Sequence, residues 1–259
     1  MNEKDLLLGQ IKDKYYQCQG KNIITATDFL DLSQQSVAKA YLDKEFAGEG
    51  VFYGGYEEAE RRKILFLPDY LEVESLEDLA QVAEEYGIIK ALKITRPKEG
   101  KPLGHRDYLG SLMGEGIKRE KVGDILVDEK GAHILVSGEV FQYIMDNYSM
   151  AGRVSITTGQ ESLNEISQIK PSTKEIRDTV ASMRLDAVLG AAFGISRSKA
   201  SEAIKMGIVF VNSVEATKTD KLVEEGDKLV IRGKGKAVLK EVSGKTKKDR
   251  FFVLIERYV

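Results

Sequence analysis

Residues 182–212 constrain this chain more than any other run. Leu185, Val188, Leu189 and Ala192 recur at helical spacing and predict a short helix with one apolar face. Gly194 can take the left-handed conformation that ends a helix. Ser196 suits the N-cap of a second helix, whose inward side is Ala200, Ala203, Ile204 and Met206. Gly207 stops that helix, and 208–211 is a β-branched and aromatic run that suits a strand. Arg197, Lys199 and Lys205 fall on the polar side. Ser196 and Arg197 stand at the helix N-terminus, where free backbone N–H groups and the dipole favour an anion. A phosphate placed there gains from the amides and the guanidinium together.

The charge balance points the same way. The 259 residues carry a net charge of −2, but residues 182–259 hold 16 Lys and Arg against 10 Asp and Glu, a net of +6. The preceding 181 residues hold 23 against 31, a net of −8. A basic module on an acidic body is the pattern of a chain in which one domain meets a polyanion. The excess is modest, so it favours a defined site over blanket nonspecific binding.

Upstream, residues 1–78 read as a mostly helical or mixed domain. Leu6, Leu7, Ile11 and Tyr15 share one helical face, and 36–46 reads as another helix. Tyr53, Gly54, Gly55 and Tyr56 make an aromatic turn that either fills a core or stacks bases, the core reading being favoured. Arg61, Arg62 and Lys63 read as a solvated face. Residues 79–160 give the order βαββαβ, a ferredoxin-like (RRM-like) arrangement used by RNA-recognition folds. Its strands lack an aromatic pair of the kind that stacks bases, so any RNA contact there would use Arg96, Lys98, Lys101, His105 and Arg106. Residues 161–180 read as a linker to a last domain over 181–259. The fold class is α+β.

Chemistry beyond binding finds little support. His105-Arg106-Asp107 resembles a kinase catalytic loop, but Leu112 stands where that loop needs Asn. Asp107 reads instead as an N-terminal helix residue. His105, His133 and Cys18 are the only histidines and cysteine, too few for a zinc site of the usual ligands. Cys18 reads as a core thiol in a reducing, cytoplasmic setting. No metal or cofactor is expected. No apolar run has membrane-spanning length, and the N-terminus does not read as a signal peptide.

Arg184-Leu185-Asp186, the 196–200 run Ser-Arg-Ser-Lys-Ala, then Ile204, Gly207, Val209 and Val211-Asn212 resemble the S4 RNA-binding domain. The stretch 223–233 is similar to that domain's second half. Over most of the chain the resemblance extends to the YlmH family of bacterial S4-domain proteins, through residues 104–114, 116–125 and 179–186. It implies a non-catalytic RNA-binding protein working on the ribosome, through rRNA of the large subunit. By similarity to other S4 proteins it implies a hold on a stalled subunit with its peptidyl-tRNA in nascent-chain rescue. Family members are also linked with cell division. A cell-division adaptor role therefore stays open for the acidic N-terminal part, as does an RNA-modifying enzyme with an appended S4 domain. Against the enzyme, Asp186 is followed by Ala-Val-Leu-Gly, not the Thr-Ser-Gly of a pseudouridine synthase. The turn 233–236 is basic rather than a methyl-donor loop.

On this reading Arg184, Ser196, Arg197, Lys199 and Lys205 contact phosphates. Asn212 and Lys218 touch the neighbouring backbone, and Arg232, Lys234 and Lys236 extend the track. Residues 245–250 are a solvated turn. Phosphate contacts position without specifying, so RNA shape must supply the choice of site. A monomer without a membrane partner is expected.

Overall fold

The computed structural model describes residues 3–99, 102–167 and 173–258. The chain divides into two compact units, Met1–Lys170 and Pro171–Val259. The boundary expected at residue 78 therefore does not separate compact bodies, for a reason that lies in the sheet of the first unit.

That unit begins with α1 (Glu3–Lys21), β1 (Thr25–Ala26), α2 (Leu32–Glu45), β2 (Val51–Tyr53), β3 (Lys63–Phe66) and α3 (Leu76–Glu85). Leu7, Ile11 and Cys18 turn inward from α1, whereas Leu6, expected on that face, is half exposed. Helix α2 starts four residues before the expected one. Asp31 accepts from Gln34 N and Gln34 Oε1 accepts from Asp31 N, both at 2.9 Å, a capping box that satisfies two orphan donors. The three strands form a sheet in the order β1-β3-β2, so this part is mixed rather than mostly helical.

There follow β4 (Ile89–Thr95), α4 (His105–Gly114), β5 (Val122–Val127), β6 (Gly131–Ser137), α5 (Gly138–Asn147), the small hairpin β7 (Met150–Ala151) and β8 (Val154–Ser155), β9 (Thr157–Glu161) and α6 (Leu163–Ser167). The sheet order β5-β6-β4-β9, antiparallel throughout, is the ferredoxin-like arrangement. Side chains alternate across it. Leu92, Ile94, Ile134 and Val136 pack with Tyr108 and Leu112 of α4 and Ile144 of α5. Ile89, Ala91 and Leu135 face the other way, onto Phe29, Tyr53, Leu65 and Leu79 of the N-terminal part. With apolar groups on both faces, the sheet needs a second cover, and residues 26–83 supply it. Two glycines permit the close approach: a Cβ on Gly123 would lie 2.7 Å from the Phe29 ring, and one on Gly55 2.6 Å from the Leu135 side chain.

The aromatic turn is core on this account. Tyr53 is 3% exposed, and Tyr56 Oη donates to Asp124 Oδ2 at 2.8 Å. The run 61–63 is not a solvated face. Arg61 donates to the carbonyls of Phe29 (2.8 Å) and Val122 (3.1 Å), Arg62 to Ala59 and Glu57, and Lys63 is 5% exposed over the Phe29 ring. The two arginines satisfy carbonyls of this loop, of β5 and of the chain before α2.

Burial pulls the Lys63 ammonium down to about 8, against the charge of Asp28. A folded-state value below the ordinary 10.5 means that charging opposes folding, so stability rises with pH from about 8 to about 10.5. Lys63→Met is expected to stabilise the protein by up to about 3 kcal/mol at pH 7, shrinking to less than about 1 kcal/mol at pH 10. Urea unfolding at both pH values measures this. An equal difference at the two would refute the buried-charge account.

The second unit contains β10 (Thr173–Val180), α7 (Leu185–Phe193), α8 (Arg197–Lys205), β11 (Val209–Val211), β12 (Val214–Glu215), β13 (Lys228–Ile231), β14 (Gly235–Lys245) and β15 (Phe251–Tyr258). The sheet order is β10-β15-β14-β13-β11-β12. Part of the expected linker is thus a strand, with eight residues of β10 paired to β15. Leu185, Val188, Leu189, Ala192, Ala200 and Ile204 pack on Val209, Val211, Leu229, Ile231, Leu239, Val253 and Ile255. Gly194 closes α7 at φ 62°. Met206, expected inward, is 65% exposed just past the end of α8. Among the described residues no helix is long and apolar enough to cross a membrane.

Candidate nucleic-acid interface

Helices α7 and α8 bring their N-terminal ends together around Asp186. This carboxylate is 4% exposed. Arg184, at the N-cap of α7, donates to it through Nε (3.2 Å) and a terminal nitrogen (3.3 Å). Arg197, the first residue of α8, reaches both oxygens at 3.1 and 2.9 Å. Burial pushes the Asp186 carboxyl up, and the two guanidiniums more than offset this and hold it below its ordinary value. The arginine side chains remain 38% and 55% exposed. Each guanidinium has five N–H groups, so each keeps donors for a ligand.

Ser196 caps α8 as expected, its Oγ accepting from Lys199 N at 3.2 Å. Lys199 is exposed. The loop 217–222 runs beside the same helix ends: Leu185 N donates to Lys221 O (2.7 Å) and Asp186 N to Thr219 O (3.2 Å). That loop carries the exposed Lys218 and Lys221. Five cations therefore belong to segments that meet at one place. Sequence reading missed Lys221, and missed that Asp186 organises the group. The only available signal was the Arg-x-Asp spacing at 184–186.

The remaining expected contacts lie elsewhere. Lys205 is exposed in the last turn of α8, whose nine residues span about 13 Å at 1.5 Å each. Arg232 N donates to Ile208 O at 2.8 Å, which brings the turn holding Arg232, Lys234 and Lys236 beside the chain leaving α8. Arg232 has a partner within the protein, and Lys236 stands over the Tyr258 ring at 4.5 Å. Lys234 is exposed. The expected single track is thus two basic groups, one at each end of α8. Asn212 belongs to neither. At φ 52° its amide donates to Asp227 Oδ1 (2.7 Å) and accepts from Lys228 N (2.9 Å), so its side chain is spent on joining two turns.

In the first unit, Arg96 donates to the carbonyls of Pro97 and Glu129 and so closes the turn between β5 and β6. Lys98, His105 and Arg106 are exposed. Lys101 lies outside the described residues. Asp107 lies in the first turn of α4, as expected of an N-terminal helix residue, and accepts from Gly104 N at 2.8 Å. The sheet face that RNA-recognition folds use to stack bases is covered along Ile89, Ala91 and Leu135 by the N-terminal core. The same face carries a polar cluster not anticipated from sequence: buried His133 Nδ1 lies 2.5 Å from buried Glu161 Oε2, and the exposed Lys93 Nζ 3.4 Å from Glu161 Oε1. Among the described residues no group of three or more His, Cys, Asp and Glu is placed to hold a metal ion.

Comparison with known proteins follows this division. A family model described as the putative RNA-binding domain in YlmH matches residues 82–165, and the S4 domain model matches 183–229. Ribosome-associated protein quality control protein P2 of Bacillus subtilis (strain 168) is 34% identical over 232 residues, which cover 89% of this chain and 86% of that protein. The solved structure of cell division protein ylmH from Streptococcus pneumoniae is 21% identical, covers 66% of this chain and 96% of that one, and has a TM-score of 0.49.

Proposed function

The chain belongs to the YlmH family of S4-domain RNA-binding proteins, and from that premise we propose that it binds the large ribosomal subunit in the cytoplasm through the second unit, without catalysing a reaction. The observation that carries this reading is the pair of half-exposed arginines on one buried carboxylate, with Lys199, Lys218 and Lys221 on the adjoining segments. Charge-assisted bonds from planar guanidiniums suit phosphate oxygens. The relative's role in ribosome-associated quality control supports a stalled subunit carrying peptidyl-tRNA as the working target.

Sedimentation with separated subunits tests this. The protein should travel with large subunits and stay behind with small ones; the reverse, or no binding, would reject the reading. Mass spectrometry of the incubated rRNA should show unchanged masses. A new methyl group or a converted uridine would overturn the non-catalytic assignment.

A further inference from the structure

Asp186 carries the largest conflict between burial and charge in the second unit. A carboxylate 4% exposed is costly unless it is paired and hydrogen-bonded. Here it is paired twice, by arginines from the openings of two different helices. Its backbone N–H is separately committed to Thr219 O. The hydrogen bonds of the side chain go to Arg184 and Arg197. Free arginines lose considerable rotamer entropy on meeting a ligand, and a planar fork already fixed loses less. The carboxylate also takes one charge from the pair, so it lowers the bare attraction for a polyanion while it fixes direction.

We propose that Asp186 is a positioning residue, which locks Arg184 and Arg197 into one preformed, two-pronged receptor for RNA phosphates. This rests on the second unit being the RNA anchor. Its consequence runs against simple electrostatics. Asp186→Asn keeps the size of the side chain and removes a negative charge from a basic surface. If charge alone governed binding, every RNA would bind this variant more tightly. If Asp186 positions the arginines, shaped RNA binds more weakly while shapeless RNA does not.

The full-length protein is tested against isolated large ribosomal subunits and against poly(U), with Asp186→Asn, Arg184→Ala/Arg197→Ala and the triple variant. Binding of Asp186→Asn to large subunits should fall about tenfold or more, with poly(U) binding unchanged or raised. In the Arg184→Ala/Arg197→Ala background the Asn substitution should have no further effect, because its partners are gone. A purely structural role would lower both bindings together and persist in that background; either result overturns the proposal. So does an Asp186→Asn variant that binds large subunits as well as the wild type or better. Should Asp186→Asn fail to fold, Arg197→Lys decides. It keeps the charge and loses the fork, so large-subunit binding should fall with poly(U) unchanged, and equal binding to both probes overturns the proposal. Wild-type protein that ignores large subunits would instead reject the anchor reading itself.

Discussion

Reversing Arg197 and Lys199 together to Glu abolishes co-sedimentation with large ribosomal subunits, while the second unit stays folded. Both side chains are exposed on the first turn of α8, outside the apolar core. The double change moves local charge by four units at a site that otherwise attracts phosphate. Each lost hydrogen bond to a charged phosphate costs about 1.5–3 kcal/mol and each lost phosphate contact flattens the salt dependence by about one unit of slope, so the combined loss is at least about 100-fold. The second unit loses stability, because Asp186 keeps only Arg184 as a partner, but it stays folded on its apolar core, with Ser196 still capping α8 and acidic residues at a helix N-terminus suiting its dipole. Sedimentation and a far-ultraviolet melt, run together, check both halves. Unchanged sedimentation would remove the site assignment.

Phe29→Ala destabilises the first unit by about 3–5 kcal/mol, in the range for deleting a buried phenyl group. The ring is 1% exposed, lies against Gly123, and joins Tyr53, Leu65 and Leu135 in one cluster. Its loss opens a cavity between the N-terminal part and the ferredoxin-like sheet, and Lys63 loses the ring beneath its ammonium. The chain has no Trp, so denaturant unfolding is followed by circular dichroism and tyrosine fluorescence. An early transition should appear for the first unit, with the later one unmoved. A loss below about 1 kcal/mol would mean that residues 26–83 are not an integral cover of the sheet.

Legibility in the sequence followed local punctuation. Gly194 and Ser196 bracket the turn between α7 and α8, and the expected helices formed there. The βαββαβ order was readable because β4, β5 and β6 are largely apolar runs closed by turns, whereas β9 has no apolar residue. Shorter or charged strands were not readable. β1 and β2 have two and three residues, too few for a periodic signal. β10 has only Ile176 and Val180 as apolar residues, because it lies at the sheet edge where one partner strand suffices. The cations at 61–63 misled because charge usually means solvent, yet here the two arginines answer carbonyls and Lys63 is buried over the Phe29 ring. In the site, the cationic residue types were legible but their grouping was not. Arg197 meets Asp186, and the loop 217–222 meets Leu185 and Asp186, only through tertiary hydrogen bonds. Asn212 was a polar residue on a basic module, and only its positive φ and two hydrogen bonds show that it serves a turn.

Ultraviolet cross-linking of the full-length protein on large ribosomal subunits, read by mass spectrometry at residue resolution, tests the central claim most directly. The account predicts adducts between rRNA and residues 184, 196–199 and 217–222, reduced by the Arg197 and Lys199 reversals. Adducts confined to residues 82–165, with those segments clean, would contradict it.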